Sequence, residues 1–178
     1  MELNLLEISL LGALTICLLI QLYFSLFVHL KLATVKVDQS INQAQQPISV
    51  IICARNELNN LQTFLPSVFE QEYPDFEVIV VNDRSWDGTE DFLESLEKQY
   101  SNLKVVTIAE GAKFIAGKKF AVTMGIKAAK HDWLVFTDAD CEPASKLWLA
   151  GMQRPENPET KILLGYSPYF KKRSLVNV

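Results

Sequence analysis

Hydrophobic and polar positions along this chain fall into three regimes. Residues 8–30 contain no charged side chain and are dominated by Leu, Ile, Phe, Val and Ala. At about 1.5 Å of rise per helical residue, such a run covers the ~30 Å hydrocarbon core of a bilayer. Residues 34–46 are polar and rich in Gln and Asn, without an aromatic and with little periodicity, which predicts a linker closed by Pro47. Beyond Pro47 apolar runs alternate with helical spacing. The runs 48–53, 76–81, 103–108 and 133–137 predict buried strands. Leu58, Leu61, Leu65, Val68 and Phe69 predict a helix that Pro66 should kink or split. Phe92, Leu93, Leu96 and Tyr100 predict another, with Thr89 as its N-cap. Residues 118–130 predict a third helix, in which Gly125 is a tolerated weakness, and a further helix should begin near Pro143. Residues 161–165 read as a fifth strand. This alternation defines an α/β domain with a mainly parallel sheet covered on both faces, whose ligands bind outside the carboxyl ends of the strands.

The apolar span reads as a retained membrane anchor, residues 1–32. A cleaved signal peptide would be shorter and open on basic residues, whereas Glu2 and Glu7 stand here. A buried helical hairpin of a soluble core is the alternative. No Lys or Arg precedes the span and Lys31 and Lys36 follow it, so the positive-inside bias puts the remainder on the cytoplasmic face of the inner or plasma membrane. Residues 33–46 are then the linker and 47–178 the domain. A formal net charge of −4 argues against nucleic acid as a partner, because a phosphate backbone demands a basic face. The basic cluster Lys171, Lys172 and Arg173 is either a solvated tail or a contact with anionic lipid. Cys17, Cys53 and Cys141 are too scattered for a disulfide framework.

Chemistry concentrates at the strand ends. The first predicted strand runs into Ala54-Arg55-Asn56-Glu57, and the second into Asn82-Asp83-Arg84-Ser85-Trp86-Asp87-Gly88-Thr89. The fourth runs into Asp138-Ala139-Asp140, and Gly117-Lys118-Lys119 opens a helix. Were the backbone extended through Asp140, both carboxylates of the acidic pair would point to one side. Paired hard oxygens suit Mg²⁺ or Mn²⁺, with waters and a substrate diphosphate completing the shell. Asp83 can accept a base imide hydrogen or a ribose hydroxyl, and a Lys at a helix N-terminus reinforces phosphate binding. Other residues have plainer readings. Arg55 and Glu57 either meet a ligand or pair with each other. Asp87, Gly88 and Thr89 read as turn and cap. Trp86 and Trp133 read as packing, Lys119 as solvated and His131 as loop surface.

Taken together, Ala54-Arg55-Asn56-Glu57, Asn82-Asp83-x-Ser85-x-Asp87-Gly88-Thr89, Gly117-Lys118, Gly125-Ile126 with Ala128-Ala129, and Asp138-Ala139-Asp140 resemble a family 2 glycosyltransferase of the membrane-anchored, cellulose-synthase-like branch. The resemblance covers Pro47 to about Pro143. It implies a Rossmann-like GT-A fold of the nucleotide-diphospho-sugar transferase type, a nucleotide-sugar donor (often a UDP-sugar), a divalent metal, and inversion by single displacement. By position, Asp83 would contact the base, Lys118 the nucleotide, Asp138 the ribose or diphosphate, and Asp140 the metal, with Asp138 also at the metal. Ala54, Arg55 and Glu57 would shape the nucleotide pocket. A glycan or lipid-linked acceptor of the cell envelope is the implied partner. The family's general base and its Gln-x-x-Arg-Trp segment are expected beyond Val178, so the chain resembles a truncated member carrying the donor half of the site. Glu142, Glu156 and Glu159 lie too early to be that base. Two alternatives stand beside this reading: a non-catalytic donor-binding or membrane-associated fragment, and a nucleotidyltransferase-like enzyme. A dehydrogenase is disfavoured, since no G-x-G-x-x-G follows the first strand.

Overall fold

A computed structural model describes residues 4–29, 46–109, 117–153, 161–165 and 167. Most of the linker and the basic cluster at 171–173 lie outside these, as do Glu156 and Glu159. The chain divides into two units, Met1–Ser40 and Ile41–Val178.

In the first unit, helix α1 (Leu5–Tyr23) continues into a π-helical stretch, Phe24–His29. Leu5–Phe27 is long and apolar enough to cross a membrane, with a mean hydropathy of 2.2 and no buried side chain. A helix that is apolar all round finds its stable environment in lipid or a core. Its start is fixed by a capping box that the sequence reading passed over. Asn4 Oδ1 accepts the Glu7 amide at 2.9 Å, and Glu7 Oε2 accepts the Asn4 amide at 2.8 Å. Ser9 and Thr15 donate their hydroxyls to carbonyls one turn back, so neither brings an unpaired polar group into the span.

The second unit is a four-stranded parallel sheet, order β3-β2-β1-β4, built from β1 (Ile48–Ala54), β2 (Phe76–Asp83), β3 (Leu103–Ile108) and β4 (Trp133–Asp138). Helices α2 (Leu58–Phe69), α3 (Thr89–Glu97), α4 (Lys118–Ala128) and α5 (Trp148–Met152) join and cover it. β1 and β2 are buried on both faces, which is why they read as unbroken apolar runs. On one face Val50, Ile52, Val78 and Val80 pack with Leu61 and Leu65 of α2, Leu93 of α3 and Leu149 of α5. On the other, Ile51, Ile79, Val81 and Ile108 pack with Ala121 of α4.

Several expectations need correction. Pro66 does not split α2, which runs through it and ends within a turn, so little of the helix lies beyond the missing donor. Thr89 is the first helical residue and Gly88, at φ +90°, precedes it as the cap. No helix begins near Pro143: α5 starts at Trp148, after a turn in which the Ser145 carbonyl accepts the Trp148 amide. Gln71, reaching from the loop after α2, accepts the Leu149 amide at 3.2 Å and supplies this helix's cap from a distance. Residues 161–165 form no strand, and Ile162 and Leu164 are 79 % and 90 % exposed. An apolar run without a ladder partner has no reason to stay extended. His131 is no loop-surface residue, since its side chain is only 12 % exposed, 3.8 Å from Asp75. Its amide donates to Ser49 Oγ, whose own hydroxyl donates to the buried Glu77, and this polar knot ties together the amino ends of the strands.

Gly125 is also more than a weakness. A Cβ there would stand 2.5 Å from Ile51 Cγ2 and 3.2 Å from Val81 Cγ2. Its absence lets α4 lie directly on β1 and β2. Gly125→Ala gains up to about 1 kcal/mol of helix propensity but incurs ~1–3 kcal/mol of overpacking. A net loss of up to about 2 kcal/mol is expected in equilibrium unfolding followed by tryptophan fluorescence, and a stabilised variant would contradict the close approach.

Candidate active site

Parallel register decides which side chains meet. Cys53 of β1 lies beside Asp138 of β4 on one side and Val81 of β2 on the other. Alternation then places Cys53, Asp83 and Asp138 on the α4 face of the sheet, at its carboxyl edge. The chain leaves β1 for α2 and β2, and later returns past α4 to β4 on β1's other side. That reversal is the switch point at which open α/β sheets bind ligands. A cavity of about 280 Å³ opens there, lined by Cys53, Ala54, Arg55, Glu57, Asp83, Lys118, Asp138, Ala139 and Asp140. The residues read from the sequence as donor- or metal-binding thus stand around one space: Ala54, Arg55, Glu57, Asp83, Lys118, Asp138 and Asp140. Cys53 and Ala139 were not foreseen, although Cys53 shares the strand parity that directs Asp138 inward.

The acidic pair reaches the cavity by a different geometry from the one expected. β4 ends at Asp138, and Ala139 and Asp140 form a turn closed by the Cys141 amide on the Asp138 carbonyl at 3.2 Å. The turn, and not strand period, brings Asp140 to the cavity. Lys118, the first residue of α4, sets its Nζ 2.6 Å from Asp138 Oδ1. The Lys118 pKa is raised, chiefly by that hydrogen bond; burial works against it, and the charges of Asp138, Cys53 and Asp140 add to it. Burial pushes the Cys53 thiol up, Lys118 opposes, and the negative charges of Asp138 and Asp83 add to the rise. Burial thus moves Cys53 away from the thiolate form that reactive cysteines favour.

Asp83 is buried and held by Arg84, whose Nε and Nη2 both lie 2.7 Å from Oδ1. Nη2 is off the direction of a hydrogen bond, so Nε makes the bond and Nη2 adds charge alone. Arg55 and Glu57 do not pair with each other. Glu57 Oε2 accepts the Asn60 side-chain Nδ2 at 2.6 Å, and the Arg55 guanidinium lies 5.7 Å from the centre of the Trp86 ring. Trp86 is 73 % exposed at the mouth of this loop, against the expectation that it packs, whereas Trp133 does pack against the core. Glu142 is exposed and outside the cavity lining.

Two loops form the rim, and they are stapled together. Asn56 and Arg84 adopt left-handed backbone, φ +58° and +55°, costing about 1–2 kcal/mol each with the least at Asn. The Asn56 amide donates to Ser85 Oγ at 3.0 Å, and the Trp86 amide donates to Asn56 Oδ1 at 2.9 Å. Asp87 completes the staple. Its Oδ2 accepts the Leu58 amide at the start of α2, and its Oδ1 accepts the amide and hydroxyl of Thr89 at the start of α3. One carboxylate caps two helices. Burial raises its pKa, but the hydrogen bonds from Thr89 and Leu58 outweigh that and leave it lowered.

Among the described residues no three His, Cys, Asp or Glu side chains gather into a metal cage. Asp138 and Asp140 nevertheless offer the donor set of an ion that takes one or two carboxylates from protein and the rest from phosphate and water. The ammonium on Asp138 marks a position where positive charge is favoured.

An acidic, lysine-bearing cavity at the switch point of a parallel sheet is where open α/β domains bind their ligands. Residues 49–174 match the model of glycosyl transferase family 2, and the chain belongs to that family. It is 36 % identical over 104 residues to glycosyltransferase AglE of Haloferax volcanii, covering 57 % of this chain and 33 % of that protein. It is 32 % identical over 102 residues to the poly-β-1,6-N-acetyl-D-glucosamine synthase of Staphylococcus epidermidis, covering 57 % of this chain and 24 % of that one. A solved structure, mannosyltransferase PcManGT from Pyrobaculum calidifontis in complex with GDP-Man and Mn²⁺, superposes with a TM-score of 0.61 at 25 % identity, over 74 % of this chain and 38 % of that one. The chain spans about a quarter to a third of the length of these curated relatives. Family and relatives are those of glycosyltransferases, which removes the nucleotidyltransferase alternative.

Asp87→Ala should cost about 1–2 kcal/mol, because two helix starts lose an acceptor at once. The Asp87 pKa is lower folded than its ordinary 3.8, so its stabilisation is complete above that value and is lost as pH falls through the lowered one. Urea unfolding at a series of pH values should show a constant gap between the two proteins from pH 5 to 8 that narrows below pH 3.8. A gap that widened on acidification would contradict the capping role.

Proposed function

We propose that this chain carries the donor-binding part, residues 47–178, of a membrane-anchored glycosyltransferase. It would transfer a sugar from a nucleotide-sugar, a UDP-sugar in our reading, to a cell-envelope glycan or lipid-linked acceptor with inversion. The observation that carries this is the gathering of Asp83, Lys118, Asp138 and Asp140 around one cavity at the switch point, within a family 2 domain. The complex of PcManGT with GDP-Man and Mn²⁺ supports both a nucleotide-sugar and a divalent cation.

Each residue has a role that its surroundings support. Asp83, clamped on Oδ1 by Arg84, keeps Oδ2 free to accept a base imide hydrogen or a ribose hydroxyl. Lys118 brings its charge to the first turn of α4, where free backbone amides already favour phosphate oxygens. Asp138 and Asp140 would hold Mg²⁺ or Mn²⁺. That ion neutralises charge developing on the departing diphosphate. Arg55 and Glu57 border the nucleotide, and Ala54 keeps the floor of the pocket open. Acceptor deprotonation is assigned to none of these residues. Residues 1–32 are the anchor in this reading, 33–46 the linker, and the domain is cytoplasmic.

Calorimetric titration with UDP tests the centre of this reading. Asp140→Ala should abolish the dependence of UDP binding on Mn²⁺ or Mg²⁺, and unchanged metal-dependent binding would remove the metal assignment. Topology is tested separately. In sealed spheroplasts the domain should resist external protease, and digestion from outside would reverse the orientation.

A further inference from the structure

We propose that Lys118 is the resident cation of the metal-free site. Its ammonium occupies the place on Asp138 that a divalent ion takes over, and the exchange frees the lysine for the donor's diphosphate. This rests on the reading of Asp138 and Asp140 as metal ligands.

The charges around the cavity motivate it. Glu57, Asp83, Asp138 and Asp140 stand against Arg55 and Lys118, which leaves the lining at a net −2. A nucleotide diphosphate is itself an anion, so even with Arg84 matching Asp83 this lining disfavours it, and a divalent cation would restore balance. The acids differ in how they are already matched. Asp83 has Arg84, and Glu57 has the Asn60 side-chain amide. Among the described residues Asp140 has only the Cys141 thiol at 3.6 Å, and Asp138 only Lys118 at 2.6 Å. A metal bound to Asp138 Oδ1 at ~2.1 Å would sit within a few ångströms of that ammonium. Two cations on one exposed carboxylate repel each other, and in this proposal the more mobile lysine gives way. Movement is inexpensive, since both side chains are more than half exposed and lysine swings on a flexible four-carbon stem. Its root on the first turn of α4 keeps the freed ammonium at the end of the helix that favours phosphate. One side chain thus serves two partners in sequence, and cation binding precedes or accompanies donor binding.

Mn²⁺ alone is the probe, titrated without nucleotide into the full chain in detergent micelles and read from the electron paramagnetic resonance of free Mn²⁺. Lys118→Gln should bind Mn²⁺ about three- to tenfold more tightly than wild type, from loss of a competing ion pair and of cation repulsion. Lys118→Arg, which keeps the charge, should stay near wild type. With Mn²⁺ saturating, UDP affinity should change in the opposite direction, falling in Lys118→Gln. A lysine with a merely structural role would not give opposite signs for the two ligands. A second readout needs no substitution: in selectively labelled protein, the Lys118 ammonium resonance should move to its unpaired position on adding Mg²⁺. If Lys118→Gln binds Mn²⁺ no more tightly than wild type while Asp138→Ala loses it, the displacement is wrong and the metal site stands. If neither wild type nor Lys118→Gln binds Mn²⁺, the metal reading fails and this proposal with it.

Discussion

Burial of β1 between β2 and β4, in parallel register, is the constraint on which the rest of the domain depends. Once Cys53 is level with Asp138 and Val81, alternation fixes which end residues face α4. Asp83 and Asp138 point toward Lys118 because of that parity, and a slip of β4 by one residue would turn Asp138 to the opposite face of the sheet. Gly125 sets the remaining dimension, since the depth at which α4 rests on Ile51 and Val81 determines where its first residue emerges. Packing some distance below the cavity therefore positions the lysine at its rim.

Strand ends alone would leave the rim loose. The loops after β1 and β2 carry strained residues at Asn56 and Arg84, held by hydrogen bonds that cross between the loops. Strain of this kind persists only where the surroundings over-determine it. Here it turns the chain sharply enough for Arg84 to fold back on Asp83 and for Arg55 to lie over Trp86. The two loops behave as one rigid rim, braced by Asp87 against the starts of α2 and α3.

Much of this was legible in the sequence, for identifiable reasons. Four strands announced themselves because a parallel sheet buried on both faces demands continuous apolar runs, and seven residues read as donor- or metal-binding at or beside their ends line one cavity. Elements whose stability comes from remote partners were not legible. The start of α5 depends on Gln71, 78 positions earlier in the chain. Gly125 looked like a weakness because helix propensity is local, whereas the contact with Ile51 that requires it is not. Residues 161–165 carried strand-forming side chains, but composition cannot supply a neighbour to pair with. Trp86 looked like a core residue because apolar area favours burial, yet its loop is fixed by polar bonds that leave the ring outside.

The partners of four acids at this edge separate architecture from chemistry. Asp87 accepts hydrogen bonds from Leu58 and Thr89 on both oxygens, and its depressed pKa reflects how fully it is used. A carboxylate so engaged has little capacity left for a ligand. Asp83 is half engaged, bound by Arg84 through one oxygen and open on the other, which suits a group that must hold a fixed direction while recognising something. Among the described residues Asp138 holds a single exposed lysine, and Asp140 only a weak thiol donor. Carboxylates crowded at the end of a strand repel one another, and a fold under selection for stability alone would cap or pair them as it does Asp87. Asp138, on an exposed lysine, and Asp140, on a thiol, are matched far more loosely than Asp87. Asp87 is thus scaffold, and on the proposed reading a divalent cation at Asp138 and Asp140 would offset the repulsion that the fold leaves there.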